Sequence, residues 1–143
     1  MHSDLILASG SPRRVELLER LGVSFRQVIS GIEEVHSGSD PAAGAEKVAN
    51  QKAVSVLINN PGSLVIGADT IVVSSTGEIL GKPVDEENGI EILMKLSGRK
   101  HTVITAITVA GPGIDEIASG SESTGVWMRP FTIVEATRYV ASG

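Results

Sequence analysis

The sequence predicts an α/β protein in which a mixed, twisted sheet is flanked by helices. Two observations lead to this prediction. Short apolar runs typical of strands alternate with helically spaced stretches in the first half of the chain, and the later part is richer in strand-like stretches. A chain of 143 residues can bury a sizeable core, so we expect residues 1–143 to form a single domain.

The N-terminal elements follow from an apolar run and a capped helix. Leu5–Ala8 predicts the first strand, and a helix is expected over 12–21. Ser11 is a suitable N-cap for this helix, and Gly22 suits the position just after its last turn. Residues 23–29 then predict a second strand with weaker alternation.

The middle of the chain predicts a long helix and a hairpin. Asp40 and the proline after it indicate the start of a helix that continues to about Asn59, with apolar residues on one face. Leu64–Val73 is the most strand-like stretch of the sequence. Residues 79–83 are expected to return as the short second arm of a hairpin.

The C-terminal part predicts two further helices around a strand-rich stretch. Asp85 is expected to cap a helix that ends at about Leu96, and Thr132 opens a capping box for the last helix. Residues 117–130 contain one or two weaker strands. Residues 101–110 alternate like a half-buried strand, with Val103, Ile107 and Val109 on one face.

Composition and charge exclude several classes of function. The chain is 41% hydrophobic and 20% charged, as in ordinary globular proteins, and its net charge of −5 argues against binding to duplex nucleic acid or a membrane surface. One Trp, one Tyr and two Phe leave little surface for stacking on single strands. With no cysteine and no signal-peptide pattern at the start, we expect a cytoplasmic protein that binds neither nucleic acid nor membranes.

Two arginines stand in the first turn of the first predicted helix. A helix N-terminus already carries partial positive charge, so Arg13 and Arg14 are unfavourable there by about 0.3–1 kcal/mol. Backbone N–H groups and two guanidinium groups would together bind an anion such as phosphate. Two solvated arginines are the alternative, but the surrounding strand, Ser-Gly-Ser turn and helix favour a phosphate cradle.

A carboxylate interrupts the most apolar predicted strand. Asp69 in a core strand would carry a large desolvation penalty unless it met cations or a metal ion. The alternative is an aspartate at a strand end that backbone donors satisfy. Asp69 is therefore a candidate for a functional site.

Further charged residues could complete a polyphosphate site. Glu33 and Glu34 are adjacent in a predicted turn, and Lys52 and Lys82 taken singly look like surface lysines. Taken together, two arginines and two lysines would neutralise a polyphosphate, and two carboxylates would hold a divalent cation through oxygen ligands. Phosphate-transfer chemistry requires those parts and little else.

The sequence resembles the Maf family of nucleoside triphosphate pyrophosphatases, with motifs in family order over nearly the whole chain. The most specific are Ser-Pro-Arg-Arg at 11–14 and Gly-Ala-Asp-Thr at 67–70, which resemble the branch acting on dTTP and UTP. The other matching motifs are Leu7-Ala8-Ser9-Gly10, Glu16-Leu17-Leu18, Leu21-Gly22, Gly31-Ile32-Glu33-Glu34, Ala49 with Lys52-Ala53, Gly81-Lys82-Pro83, and Leu96-Ser97-Gly98 with His101.

The resemblance implies a fold, a reaction and a set of site residues. The implied fold is of the Maf and ITPase-like type, with a deep nucleotide-binding cleft and usually a homodimer. The implied reaction cleaves the α–β phosphate bond of a nucleoside triphosphate with Mg²⁺, or with Mn²⁺ or Co²⁺ in its place. We expect Asp69, Lys52 and Lys82 to be catalytic. Glu34 and Asp69 would hold the metal ion, and whether Asp69 is general base, ligand or both stays open. Five residues are expected to bind substrate: Ser9, Ser11, Arg13, Arg14 and Thr70.

The family also has a segment after the last predicted helix that this sequence does not contain. That segment carries an Asp-Lys-Ala-Gly motif, a Tyr and a Gln-Gly pair, and a Gln in it helps to read the base. We therefore expect a C-terminally shortened member. Two alternatives follow, an active dTTP/UTP pyrophosphatase and a catalytically impaired protein that binds nucleotides. An uncovered sheet edge would favour self-association, most simply as a two-fold homodimer.

Overall fold

Strands and helices follow one another along the chain in the predicted order. The computed structural model describes residues 4–36, 39–112 and 118–143. No helix in these ranges is both long and apolar enough to cross a membrane. The strands and helices in these ranges are β1 (Leu5–Ala8), α1 (Pro12–Arg20), β2 (Arg26–Gln27), α2 (Pro41–Asn59), β3 (Leu64–Val73), β4 (Ile79–Leu80), α3 (Glu86–Leu96), β5 (Lys100–Ala110), β6 (Ala118–Trp127) and α4 (Ile133–Ala141).

The strands form a mixed sheet, which confirms the predicted α/β fold class. The strand order is β2-β1-β3-β5-β6, and β4 pairs with β3 beside this path. β1 is parallel to both of its neighbours, so that Leu7 lies opposite Gln27 of β2 and Ile66 of β3. β3 and β4 are antiparallel, and the predicted hairpin is therefore confirmed.

The residues of the chain group into two compact units. The first unit comprises Met1–Thr70 and Thr105–Glu122, and the second comprises Ile71–Ile104 and Ser123–Gly143. β3, β5 and β6 each contribute residues to both units. The expectation of a single domain over residues 1–143 stays a prediction.

The core of the first unit joins β1, β3 and α2. Asp40 caps α2 as predicted, because its side chain accepts a hydrogen bond from the Ala43 N–H group at 3.2 Å. Small residues on the buried face of α2 let the helix lie close to the sheet. The core cluster consists of buried apolar residues from these elements and from the end of β5: Ile6, Ala8, Ala53, Val56, Val65 and Ala110.

α2 and β3 approach each other closely at Gly67. A methyl group added to Gly67 would lie 2.9 Å from the Ala53 nitrogen and 3.0 Å from Ala53 Cβ. These distances leave no space for a side chain. The glycine therefore sets the separation between the helix and the strand, two residues before Asp69.

α1 has the predicted caps but buries little of its apolar face. Ser11 Oγ accepts a hydrogen bond from the Arg14 N–H group, and Gly22 follows the helix with a φ of 72°. No residue of α1 is fully buried. Leu17 is 50% exposed, and Leu21, the C-cap, is 74% exposed.

In the second unit α3 packs against α4. Both predicted N-caps are confirmed, because Asp85 and Thr132 each accept a hydrogen bond from a backbone N–H group in the first turn. A methyl group added to Gly89 of α3 would meet Val140 of α4 at 3.5 Å, an ordinary van der Waals distance. The two helices are therefore in close contact at this position.

The second strand is shorter than the sequence predicts. The alternation over 23–29 indicates a longer strand, but only Arg26 and Gln27 form β2. Their partner β1 has four residues, so it offers few backbone groups for pairing. Val28 adds one further backbone hydrogen bond, to the Leu7 carbonyl at 3.1 Å.

The covered face of β5 is not the face that carries Val103, Ile107 and Val109. Ala106, Thr108 and Ala110 are buried, whereas Ile107 is 48% exposed. Period-two alternation divides a strand into two faces but does not tell which of them is covered. Thr108 is tolerated in the buried set because its Oγ1 hydrogen-bonds Ser119 Oγ at 2.9 Å.

A single long strand replaces the one or two weaker strands predicted over 117–130. β6 covers ten residues, while residue 117 lies outside the described residues. The strand is rich in serine and glycine, and nearly all of its residues are exposed. Its position beside β5 at the end of the strand order, rather than strand propensity, explains why it is a strand.

We expect Gly67→Ala to lower the free energy of unfolding by about 1–3 kcal/mol, because the added methyl group must push α2 away from β3. Gly62→Ala is the matched control, since its methyl group meets no described atom within 4 Å. Urea unfolding of both variants measures the difference. Equal stability of the two variants would contradict the close approach of α2 to β3.

Candidate active site

Most of the predicted site residues of the first unit come together around the middle of β3: Ser9, Arg14, Glu34, Lys52, Asp69 and Thr70. Because β1 and β3 are parallel and Ala8 lies opposite Gly67, the turn after β1 comes beside Asp69. α2 contributes Lys52, and the irregular segment after β2 contributes Glu34. These positions are far apart in the sequence, and the sheet register and α2 bring them together.

Asp69 is buried and lies next to a buried cation. Its side chain is 3% exposed, and its Oδ1 is 3.7 Å from Lys52 Nζ. Lys52 Nζ also donates a hydrogen bond to the Ala68 carbonyl at 3.1 Å. Lys52 is therefore not a surface lysine, and its charge offsets part of the cost of burying the carboxylate.

The close approach at Gly67 explains how a lysine of α2 reaches a carboxylate of β3. Ala53, the residue that nearly touches Gly67, directly follows Lys52 on α2. A larger residue at position 67 would move α2 away from β3. Such a shift would lengthen the separation between Lys52 Nζ and Asp69 Oδ1.

Glu34 contacts the same ammonium group from a more exposed position. Its Oε1 is 2.6 Å from Lys52 Nζ, and its side chain is 40% exposed. Lys52 therefore bridges the carboxylates of Glu34 and Asp69. Two carboxylates around one ammonium leave a local excess of negative charge, which favours a further cation nearby.

Arg14 is a second cation at the site, and it is held against β3. Its Nη1 donates to Ser9 Oγ at 3.0 Å and to the Ala68 carbonyl at 3.3 Å. Its Nη2 donates to Thr70 Oγ1 at 3.1 Å. Arg14 is thus hydrogen-bonded to both sequence neighbours of Asp69.

Burial and charge act in opposite directions on Arg14. Partial burial lowers the pKa of the Arg14 guanidinium from its ordinary value, and the charges of Asp69 and Glu34 oppose that shift. An arginine keeps its charge in proteins in spite of such shifts. Arg14 therefore brings a permanent positive charge to the site.

The two arginines of the first helical turn have different environments. Arg14 has three acceptors on β3 and on the turn after β1. Arg13 is exposed, and within the described ranges it makes no hydrogen bond or ion pair through its side chain. Of the two arginines, Arg13 is therefore the one that can meet an incoming anion without breaking a contact to a described residue. The phosphate cradle itself stays a prediction.

The hydroxyl groups predicted to bind substrate have protein partners. Ser9 Oγ accepts hydrogen bonds from the Ser11 N–H group at 3.2 Å and from Arg14. Ser11 Oγ caps α1. Thr70 Oγ1 contacts Arg14 and also Thr105 Oγ1 at 3.1 Å. In this arrangement they orient Arg14 and the helix start, and their contact with substrate stays a prediction.

Lys82 belongs to the second unit. It is exposed on the segment that follows β4. Its side chain makes no hydrogen bond or ion pair with the part of the chain that the structure describes. Its catalytic role stays a prediction.

Two residues that sequence reasoning missed also lie at this site. His36 Nε2 is 2.6 Å from Asp69 Oδ2, and Thr105 supports Thr70. No sequence signal identifies His36, because its partner is 33 residues further along the chain. Thr105 is a polar residue within a strand, but threonine is common in strands, so the signal is weak.

The donor chemistry of the site fits the divalent cation that the resemblance implies. Mg²⁺ prefers oxygen ligands and is commonly held by one or two carboxylates together with substrate phosphates and water. Glu34 and Asp69 are two such carboxylates on either side of Lys52. Among the described residues, no group of three or more His, Asp or Glu side chains is arranged to hold a metal ion.

Comparison with known proteins finds similarity to a protein family, to several relatives in sequence and to a structural neighbour. A family model described as Maf-like protein matches residues 4–143. The dTTP/UTP pyrophosphatase of Geobacter sulfurreducens is 44% identical over 140 residues, covering 97% of this chain and 73% of that protein. The dTTP/UTP pyrophosphatase of Pelotomaculum thermopropionicum is 40% identical over 141 residues, with 98% and 73% covered.

The structural neighbour confirms the fold alone. The Staphylococcus aureus Ham1 protein superposes with a TM-score of 0.62, over 86% of this chain and 70% of its own. Its sequence identity is 16%, which is too low to carry an argument about substrate or mechanism. The superposition with this distantly related sequence supports the predicted ITPase-like α/β architecture.

We expect Arg14→Ala to lower the free energy of unfolding of the ligand-free chain by about 1–3 kcal/mol, because it removes three hydrogen bonds, two of them partly buried. Arg13→Ala should leave it unchanged or raise it by about 0.3–1 kcal/mol, since it removes a cation from a helix N-terminus. Urea unfolding without nucleotide measures both. Equal losses in the two variants would show that the arginines are not engaged differently.

Proposed function

This chain belongs to the Maf family, and on that premise we propose that it is a nucleoside triphosphate pyrophosphatase acting on dTTP or UTP. Water attacks the α-phosphorus, the bond from that phosphorus to the bridging oxygen breaks, and a monophosphate and pyrophosphate leave. The two relatives described above carry the name dTTP/UTP pyrophosphatase. One observation carries the proposal most directly: a buried carboxylate, Asp69, whose surroundings hold the cations Lys52 and Arg14.

In this proposal Asp69 acts on the attacking water. It either orients the water and accepts its proton, or would help to hold a metal ion that lowers the pKa of the water, and the two roles stay alternatives. His36 and Lys52 hold the carboxylate in place, which supports either role, because a preorganised group needs no rearrangement during the reaction.

The cationic residues would bind and stabilise the triphosphate. Lys52 and Arg14 lie beside Asp69, which suits them to charge that develops on the reacting phosphoryl group. Arg13 is exposed and has no side-chain partner among the described residues, which suits it to the outer phosphates. For Lys82 the support is the Gly-Lys-Pro motif alone.

The proposal includes a divalent cation, Mg²⁺ or in its place Mn²⁺ or Co²⁺. Glu34 and Asp69 would hold it through carboxylate oxygens. When bound, the cation neutralises charge on the phosphate oxygens. We also propose a cytoplasmic location, because nucleoside triphosphates are cytoplasmic metabolites, and binding to neither nucleic acid nor membranes, because the net charge is −5.

The reaction itself can be tested with a panel of nucleotides. The purified chain is incubated with Mg²⁺ and each of dTTP, UTP, dCTP, dATP and GTP, and released pyrophosphate is measured. Turnover of dTTP and UTP above the others is the expected result. Binding of dTTP in a calorimeter without release of pyrophosphate would instead identify a nucleotide-binding protein, and no turnover of any nucleotide would overturn the enzymatic proposal.

Asp69→Asn should lower kcat for dTTP by about 10²–10⁴-fold, the range expected when a general base is lost. Its free energy of unfolding should stay within about 1 kcal/mol of wild type, because Lys52 keeps its ion pair with Glu34 and its hydrogen bond to the Ala68 carbonyl, so no buried cation loses its last partner. Glu33→Gln is the matched control, since Glu33 is an exposed carboxylate in the same charged segment as Glu34. Wild-type turnover by Asp69→Asn would remove Asp69 from the mechanism.

We propose a homodimer, in which the exposed apolar residues of α1 are the candidate contact surface. α1 has no fully buried residue, and Leu17 and Leu21 are 50% and 74% exposed. Sedimentation at several protein concentrations should give a dimer mass for wild type and a shift toward monomer for Leu17→Glu. A monomer at all concentrations would contradict the dimer, and an unchanged Leu17→Glu dimer would contradict this surface.

A further inference from the structure

His36 makes a short hydrogen bond to the buried carboxylate of the site. Its Nε2 lies 2.6 Å from Asp69 Oδ2, and the side chains are 19% and 3% exposed. An ionised carboxylate can only accept a hydrogen bond, so Nε2 is the donor. Lys52 Nζ is 3.7 Å from the other oxygen, Oδ1, which is too long for a hydrogen bond. Among the described residues, His36 therefore makes the only hydrogen bond to the Asp69 side chain.

The contact restrains the carboxylate group on one side. A carboxylate can rotate about its bond to Cβ with little resistance, because terminal torsions of this kind are broad. With Oδ2 bonded to His36 and Oδ1 near Lys52, one rotation is favoured over the others. Oδ1 is then the oxygen without a hydrogen bond, and it is available to water or to a cation.

The same contact fixes the segment that carries Glu34. His36 and Glu34 are two residues apart in a stretch without regular secondary structure. His36 ties that stretch to β3, and Glu34 ties it to Lys52 of α2. The hydrogen bond of His36 thus adds a second connection to the ion pair between Glu34 and Lys52, whose glutamate side chain is 40% exposed.

We propose that His36 is a positioning residue for Asp69, which keeps Oδ2 occupied and presents Oδ1 to the reacting water or its metal ion. This inference rests on the proposed function, because it assigns His36 a part in the same reaction. It requires an N–H donor at position 36 rather than the imidazole itself. It also requires that loss of the donor acts on the reaction step more than on substrate binding.

Three variants separate positioning from a merely structural role. His36→Leu removes the donor, His36→Gln keeps an N–H donor on a side chain of similar length, and Val35→Ala changes an exposed neighbour in the same segment. For dTTP with Mg²⁺, His36→Leu should lower kcat by about 10–100-fold with KM changed less than about threefold. His36→Gln should recover most of the loss, and Val35→Ala should behave like wild type.

The hydrogen bond can be observed without turnover. Imidazole ¹⁵N spectra of the ligand-free chain should show one histidine whose Nε2 resonance disappears in His36→Gln and shifts in Asp69→Asn, while the resonances of His101 stay unchanged. Thermal unfolding of all variants shows whether they fold. If His36→Leu does not fold, the comparison of His36→Gln with Asp69→Asn still tests the contact and the requirement for a donor.

Failure of this inference and failure of the proposed function give different results. A wild-type chain without turnover, whose His36 resonance still responds to Asp69→Asn, contradicts the function and with it the role in the reaction. An active wild type in which His36→Leu and His36→Gln have equal kcat overturns the need for a donor. Mn²⁺ binding can also be compared in the two variants. If His36→Gln loses as much Mn²⁺ affinity as Asp69→Asn, His36 is a metal ligand, and the positioning role is overturned.

Discussion

The burial of one carboxylate, that of Asp69, is the constraint on which the rest of the site depends. A charged group with 3% of its side chain exposed is costly unless other groups replace its lost hydration. Three parts of the chain supply these groups. Lys52 lies on α2, and His36 lies on the segment after β2. Arg14 lies on α1 and donates hydrogen bonds to the residues on both sides of Asp69. Each of them is a cation or a donor. The site is therefore built to keep a negative charge in place.

The geometry of the backbone decides which side chains can take part. α2 can bring Lys52 to Asp69 because Gly67 has no side chain to hold the helix away from the strand. The parallel register of β1 and β3 brings the turn after β1 beside Asp69, so Ser9 and Arg14 can meet Ala68. The charged groups of the site can therefore meet only because of two packing features, a glycine on the strand and small residues on the helix.

The first turn of α1 shows how a local cost can be compensated by distant contacts. Two arginines at a helix N-terminus oppose the helix dipole. For Arg14, acceptors on β3 offset this cost, whereas Arg13 has no such compensation among the described residues. The same motif therefore contains one residue that stabilises the folded site and one that is suited to a ligand. This difference cannot be seen in the sequence, where the two arginines are equivalent neighbours.

The sequence by itself determined the elements and the family. Strand and helix positions, the four N-caps and the α/β class depend on local patterns of apolar spacing and capping residues, and they agree with the structure at most positions. The Ser-Pro-Arg-Arg and Gly-Ala-Asp-Thr motifs indicate the family, and Asp69 is anomalous from its sequence context alone. Only the tertiary structure decided that Lys52 is buried, that Arg14 turns toward β3 and that His36 belongs to the site. It also decided which face of β5 is covered, the face of Ala106, Thr108 and Ala110. The physical reason is the same in each case: these outcomes depend on contacts between residues distant in the chain, and neither side-chain type nor local periodicity encodes which distant groups will meet.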